Sequence, residues 1–140
     1  MNIEVRTAGK GDDEVLHDIL QELHDCDLQL RKKRFTEALN SENSTYLVAI
    51  SEKKAIGFLN IWYMPDIVDG GFAGIILDIY VSSNYRDRGV GGVLLESALD
   101  VGEKHNINKY YGWMAPDNNA AIALMKRYGF RGENLMFEKK

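Results

Sequence analysis

The chain has 140 residues, 45% apolar and 27% charged, with a formal net charge of −4, which fits one folded domain over residues 1–140 and excludes wholesale disorder. No apolar run approaches the roughly 18 residues of a membrane span, and the opening MNIEVRTAGKGDDE lacks the basic-then-apolar order of a secretory signal. A single cysteine, Cys26, excludes an internal disulfide and a cysteine-built zinc site, so the chain reads as a cytoplasmic protein without the basic footprint of a nucleic-acid binder.

In chain order, Asn2–Arg6 alternates like a half-buried strand, and Gly9-Lys10-Gly11 breaks it before Asp12 or Asp13 caps a helix. Val15, Leu16, Ile19, Leu20 and Leu23 give that helix one apolar face. A second helix is predicted from Leu28 to Leu39. Thr45–Ile50 and Ala55–Tyr63 form a hairpin around Ser51–Lys54, and Met64–Gly71 is a loop. Phe72–Val81 is apolar apart from Asp78, which predicts a central strand buried on both faces. A helix from Val90 to Lys104, a strand over Lys109–Met114 and a helix opened by Pro116-Asp117-Asn118 follow. Two short strands, near Phe130 and over Leu135–Glu138, close the chain. The order is β-α-α-β-β-β-α-β-α-β-β, an α/β (α+β) fold.

Charge is uneven. Residues 1–30 hold eight acids against two bases, a local −6, and the remainder carries +2. Glu22, Asp25 and Asp27 fall where the first two helices join. The block is either solvated helix surface or the flank of a site for a cation.

The stretch with the most chemical content is Tyr85-Arg86-Asp87-Arg88-Gly89-Val90-Gly91-Gly92. Its glycines sit between an apolar strand and an amphipathic helix, where free amides and the helix dipole suit a phosphate. A ligand-free strand–helix turn has the same composition. The P-loop is excluded, because no Gly-Lys is followed by Ser or Thr, and the dinucleotide fingerprint is excluded by Leu94 in place of its third glycine. Among the histidines, His17 and His24 share a helix face as solvated side chains, and His105 meets the carbonyls ending the third helix.

Arg86-Asp87-Arg88-Gly89-Val90-Gly91 resembles the acetyl-CoA motif of the GNAT superfamily of N-acetyltransferases, and Asp78-Ile79-Tyr80-Val81 resembles the end of that family's central strand. Downstream, Asn118, Ala121, Leu124, Gly129 and Phe130 fall on a second family frame. The resemblance implies a mixed, mostly antiparallel sheet flanked by helices, and acetyl-CoA as cosubstrate with no metal. The amides of Asp87, Arg88, Gly89, Val90, Gly91 and Gly92, with Arg86, would cradle the pyrophosphate. The backbone of Ile79, Tyr80 and Val81 would pair with the pantetheine arm, and Asn118 would lie near the thioester. The acceptor would be an amine, of a small cation or of a protein, near Asp25 and Asp27. Homodimers occur among similar proteins, often through C-terminal strands.

Asp78, the one charge in its strand, is the candidate amine anchor or base; a cap on a helix terminus is the structural alternative. The family's usual proton donor is the tyrosine of Leu-Tyr, but Met125 stands there, and a thioether donates no proton. Tyr128, three residues on, is either its substitute or a packing residue. Two functions follow: an N-acetyltransferase, or an acyl-CoA-binding or sensing module without efficient turnover.

Overall fold

A computed structural model describes all 140 residues. The elements are β1 (Glu4–Thr7), α1 (Asp12–Leu23), α2 (Leu28–Leu39), β2 (Ser44–Ser51), β3 (Lys54–Asp66), β4 (Gly71–Val81), a 3₁₀ turn (Ser83–Tyr85), α3 (Val90–Lys104), β5 (Lys109–Gly112) and α4 (Asn119–Arg127). The sheet order is β1-β2-β3-β4-β5. The first four strands pair antiparallel and β5 joins β4 in parallel, with α3 in the crossover. This is the mixed, mostly antiparallel sheet that the family resemblance implies.

Two apolar cores cover its faces. On one, Leu47, Leu59, Ile61 and Ile76 meet Val90, Leu94 and Ala98 of α3 and Met125 of α4. On the other, Val48 and Phe58 meet Leu16 and Ile19 of α1 and Phe35 of α2. α3 seats closely because Gly57 of β3 has no side chain: a Cβ there would stand 2.9 Å from both Leu94 Cδ1 and Val90 Cγ1. Glycine thus fixes the height of the α3 N-terminus above the sheet.

Four expectations are corrected. The strand buried on both faces is β3, continuously from Ala55 to Ile61, not β4, where Phe72 and Leu77 are exposed. The loop over Met64–Gly71 shortens to a turn over residues 67–70, since β3 runs on to Asp66 and β4 starts at Gly71. The two C-terminal strands do not form: residues 128–140 hold no strand, and Leu135, Met136 and Phe137 lie exposed. Their apolar character satisfies strand propensity, but no backbone bonds join them to the outer edge of β5, which stays free. Finally, Gly11 occupies the α1 cap position. The Asp12 carboxylate turns back to the Arg6 guanidinium (2.7 and 2.9 Å) and the Gly9 N–H (2.6 Å).

Candidate active site

β5 pairs with β4 only from Ala73 to Ile76, while β4 continues to Val81. Beyond Ile76 one edge of β4 therefore has no strand beside it, and Ile79 and Val81 lie along this gap. The Val81 carbonyl accepts from Arg86 Nε at 3.1 Å, and the Arg86 guanidinium lies 5.4 Å from the Tyr80 ring centroid. Arg88 lies similarly over Tyr85. The chain then turns through Asp87 (φ 60°) and Gly89 (φ 82°), both left-handed, into α3. Asp87 adopts a conformation that favours glycine or asparagine and aspartate. The first bond back to the cap is Val93 N–H to Gly89 carbonyl, at 3.2 Å. The amides of Val90, Gly91 and Gly92 precede it and lack helical acceptors. A Cβ on Gly91 would meet Leu124 at 3.0 Å and one on Gly92 would meet the Tyr128 hydroxyl at 3.5 Å, so α4 closes against this turn.

On α4, Asn118 caps the helix, its Oδ1 accepting from the Ala121 N–H at 3.2 Å. The Tyr128 hydroxyl donates to Glu96 Oε1 of α3 at 2.6 Å, and this bond to a carboxylate raises its pKa above the ordinary phenol value. Met125 is buried in the α3-side core, with its methyl beneath Gly112.

Asp78 caps no helix. A bulge, with Asn60 opposite Asp78 and Ile61 opposite Ile76, leaves Leu77 as the extra residue. Simple alternation would put Asp78 with Ile76 under α3. The bulge shifts the parity, so Asp78 shares the α1–α2 face with Tyr80. Asn60, 5% exposed, grips it twice: Asn60 Nδ2 donates to Asp78 Oδ2 at 3.2 Å, and the Asp78 N–H donates to Asn60 Oδ1 at 2.8 Å. Burial raises the Asp78 pKa, and the Asn60 bond opposes that rise without cancelling it. Its Oδ1 has no partner within the chain.

Tyr46 stacks on Phe58 and meets the edges of Phe35 and Trp62 on this face. Asn60, Ser44 and Trp62 surround its hydroxyl, whose pKa burial raises. Ser44 Oγ and Trp62 Nε1 are buried without a well-formed hydrogen bond. Asp78 thus adjoins an aromatic wall with polar groups to spare.

A sequence profile of the Acetyltransferase (GNAT) family matches residues 13–130. The chain belongs to the GNAT family. Over 80 residues, 57% of this chain, it is 31% identical to the L-2,4-diaminobutyric acid acetyltransferase of Nocardia farcinica (strain IFM 10152). The match spans 40% of that protein. Two solved structures share the fold over essentially their whole length. One is the aminoglycoside N-acetyltransferase AAC(6')-Iy in complex with the bisubstrate analog CoA-S-monomethyl-acetylneamine, at TM-score 0.87 and 20% identity, covering 100% of this chain and 99% of that one. The other is a GNAT family acetyltransferase of Staphylococcus aureus, at TM-score 0.84 and 22% identity, covering 100% and 99%.

Within this GNAT chain, residues 79–81, the 86–92 turn and Tyr128 converge on the α3 N-terminus, whereas Asp78 lies on the opposite face of the sheet. Asp25 and Asp27 sit at the α1–α2 junction with jobs of their own. Asp27 caps α2, accepting from the Leu30 N–H at 2.9 Å, and Asp25 accepts from Gln21 Nε2 at 2.8 Å. His24 is exposed as expected, but His17 is half-buried with an unpartnered Nδ1, so its solvated assignment is corrected. His105 Nδ1 lies 2.9 Å from the Val101 carbonyl, at the helix end as expected. No three His, Cys, Asp or Glu side chains are grouped to hold a metal, and no helix is long and apolar enough to cross a membrane.

Sequence reasoning missed Asn60, Tyr46 and the role of Glu22. Asn60 left a signal, as the one amide in the apolar run Ala55–Tyr63. Glu22 left none, because its partners lie about 60 residues away.

Proposed function

We propose that this chain transfers the acetyl group of acetyl-CoA to a primary amine by direct attack on the thioester. The observation that carries the reading is the continuity of the unpaired β4 edge at Ile79–Val81 with the free amides of Val90–Gly92. An extended amide-bearing arm bonds to such an edge as an added strand would, and a pyrophosphate fits the amides at its end. Arg86 and Arg88 add positive charge at the turn, and Asn118, whose Oδ1 is spent on its cap, offers its Nδ2 toward the thioester end.

The acceptor enters from the α1–α2 face. Asp78 holds the ammonium and takes a proton from it, directly or through a water, because an amine with a pKa near 10.4 is protonated at neutral pH. The neutral nitrogen attacks the thioester carbonyl carbon, the C–S bond breaks and the departing sulfur takes the Tyr128 proton, which leaves its bond to Glu96 to do so; the second proton of the amine passes through solvent and restores the phenol. A backbone amide at the splayed strand steadies the carbonyl oxygen as charge builds there. The acceptor is a small cationic amine or a protein amino group. The similarity to a diaminobutyrate acetyltransferase favours a compact diamine, with Asp25 and Asp27 drawing it in.

A second reading, an acyl-CoA-binding module without efficient turnover, is favoured by Met125, a buried thioether at the position where the family's motif usually has a tyrosine. Thermal unfolding with CoA and acetyl-CoA tests both, since ligand at 100 times its Kd stabilises by about 2.7 kcal/mol. Thiol release with a panel of amines then separates them. Release above the background hydrolysis rate supports transfer, its absence supports the binding module, and no thermal shift defeats both.

A further inference from the structure

One side chain of α1 reaches the connection between β4 and α3. The Glu22 carboxylate accepts from the Ser82 hydroxyl (2.9 Å to Oε2, 3.2 Å to Oε1), from the Ser83 N–H at 3.2 Å and from the Tyr80 hydroxyl at 3.3 Å. Desolvation pushes its pKa up, but these bonds and the nearby Arg86 charge outweigh that and hold it below the ordinary value. The bridge spans two places with different functions. Ser82 follows the last residue of the exposed β4 edge, and Arg86 occupies the Val81 carbonyl on that edge. Glu22 itself lies in the last turn of α1, just before Asp25 and Asp27, and the junction is tied to that turn: the Cys26 N–H donates to Gln21 Oε1 at 3.0 Å, Gln21 Nε2 donates to Asp25, and Arg31 donates to the His24 carbonyl at 2.9 Å.

We propose that Glu22 is a positioning residue through which occupation of the CoA turn orders the α1–α2 junction, so that the acceptor binds more tightly once the cofactor is seated. The inference rests on the cofactor reading given above. An arm seated along β4 competes with Arg86 for the Val81 carbonyl. The displaced guanidinium stays near Glu22, where its charge reinforces the carboxylate's grip on Ser82 and Ser83. The α1 end is thereby fixed against the turn, and the junction that Gln21 and Arg31 tie to it is held in one position, which the acceptor would otherwise have to set on binding. Linkage makes the effect reciprocal: the acceptor must tighten cofactor binding by the same factor.

The test is hydrogen exchange with and without CoA in the wild type, Glu22→Ala and Ser82→Ala, together with the acceptor KM at saturating acetyl-CoA. In the wild type, CoA should slow exchange over residues 82–92 and also over residues 21–27. In Glu22→Ala, protection of 82–92 should persist, protection of 21–27 should vanish, and the acceptor KM should rise by a factor within the usual coupling range of about 5–150, with kcat changed less than about twofold. Ser82→Ala, which keeps Glu22 and its bonds to Ser83 and Tyr80, should give an intermediate loss and keeps the question answerable if Glu22→Ala folds poorly. Protection of 21–27 in Glu22→Ala equal to that of the wild type overturns the coupling. So does wild-type protection confined to 82–92. Absence of CoA protection anywhere defeats the cofactor reading and the coupling with it.

Discussion

Replacing Asp78 with asparagine separates the chemistry of this site from its architecture. The change is nearly isosteric. The Asn60 amide still finds an oxygen to donate to, and the main-chain bond from residue 78 to Asn60 Oδ1 is untouched. What disappears is a charge and a base. A positioned base contributes roughly 10²–10⁴-fold in rate, so kcat/KM for the amine should fall by that factor, equivalent to about 3–5 kcal/mol of barrier at 1.36 kcal/mol per tenfold. Stability should move the other way. Burial raises the native pKa of Asp78 above its unfolded value, so the native state holds that proton more tightly and ionisation opposes folding. Below the unfolded carboxylate pKa both forms of the protein are neutral at this position. As pH rises through the window between the unfolded and native values, the wild type loses stability that Asp78→Asn keeps. The variant should therefore unfold at a higher temperature than the wild type at pH 7 and at a similar one at pH 3. Steady-state kinetics and calorimetry at the two pH values provide the check. A loss of activity below tenfold refutes the base, and a variant less stable than the wild type at pH 7 refutes the argument from burial.

Tyr128→Phe should lower kcat by at least about tenfold if the phenol protonates the leaving thiolate, without weakening CoA binding by calorimetry; unchanged kcat assigns Tyr128 to packing. Gly89→Ala forces a side chain into a left-handed backbone position, costing about 1–2 kcal/mol in urea unfolding and raising the KM for acetyl-CoA. Asp25→Asn combined with Asp27→Asn removes two charges while asparagine keeps the α2 cap. It should raise the KM for a cationic acceptor several-fold, and an unchanged KM removes the acidic junction from recognition. The Arg6 bond lowers the Asp12 pKa, so the stability it contributes is present above the unfolded value and is lost as pH falls toward the native one. Acid titration of Asp12→Asn should lack that loss.

The residues differ sharply in how much they disclose locally. The helical repeat of Leu16, Ile19 and Leu20 and the glycines at 89, 91 and 92 carry their structural meaning within a few positions, so α1 and the α3 turn are legible in order. The bulge at Leu77 is not, because period-two reasoning assumes an uninterrupted ladder and one inserted residue reverses every later assignment. It is this reversal that carries Asp78 from the α3 side to the face it shares with Tyr46 and Asn60. The missing C-terminal strands fail for a different reason. Leu135, Met136 and Phe137 have the right composition and the outer edge of β5 is free, but composition does not encode whether a segment is brought into register with that edge. Glu22 is legible only as an exposed helix acid until the fold brings Ser82 to it.

The acidic first segment shows why summed charge is a poor guide to a binding site. Asp12 is matched by Arg6, Asp13 and Glu14 lie within 4.0 Å of Lys32, Glu22 is held by Ser82, Ser83 and Tyr80, and Asp27 is spent on a helix cap. Of the charge that remains at the junction, most is solvated, where a pair of unit charges 4 Å apart is worth about 1 kcal/mol. At the effective dielectric of a half-buried site the same pair is worth about 4 kcal/mol. In the proposed reading, the single carboxylate of Asp78 therefore discriminates a cationic amine from a neutral one better than the whole exposed block does. In the same reading the exposed acids act at longer range, on the rate of encounter, and that contribution fades as salt shortens the screening length. Raising ionic strength should then slow capture of a cationic acceptor while leaving the selectivity set at Asp78 in place.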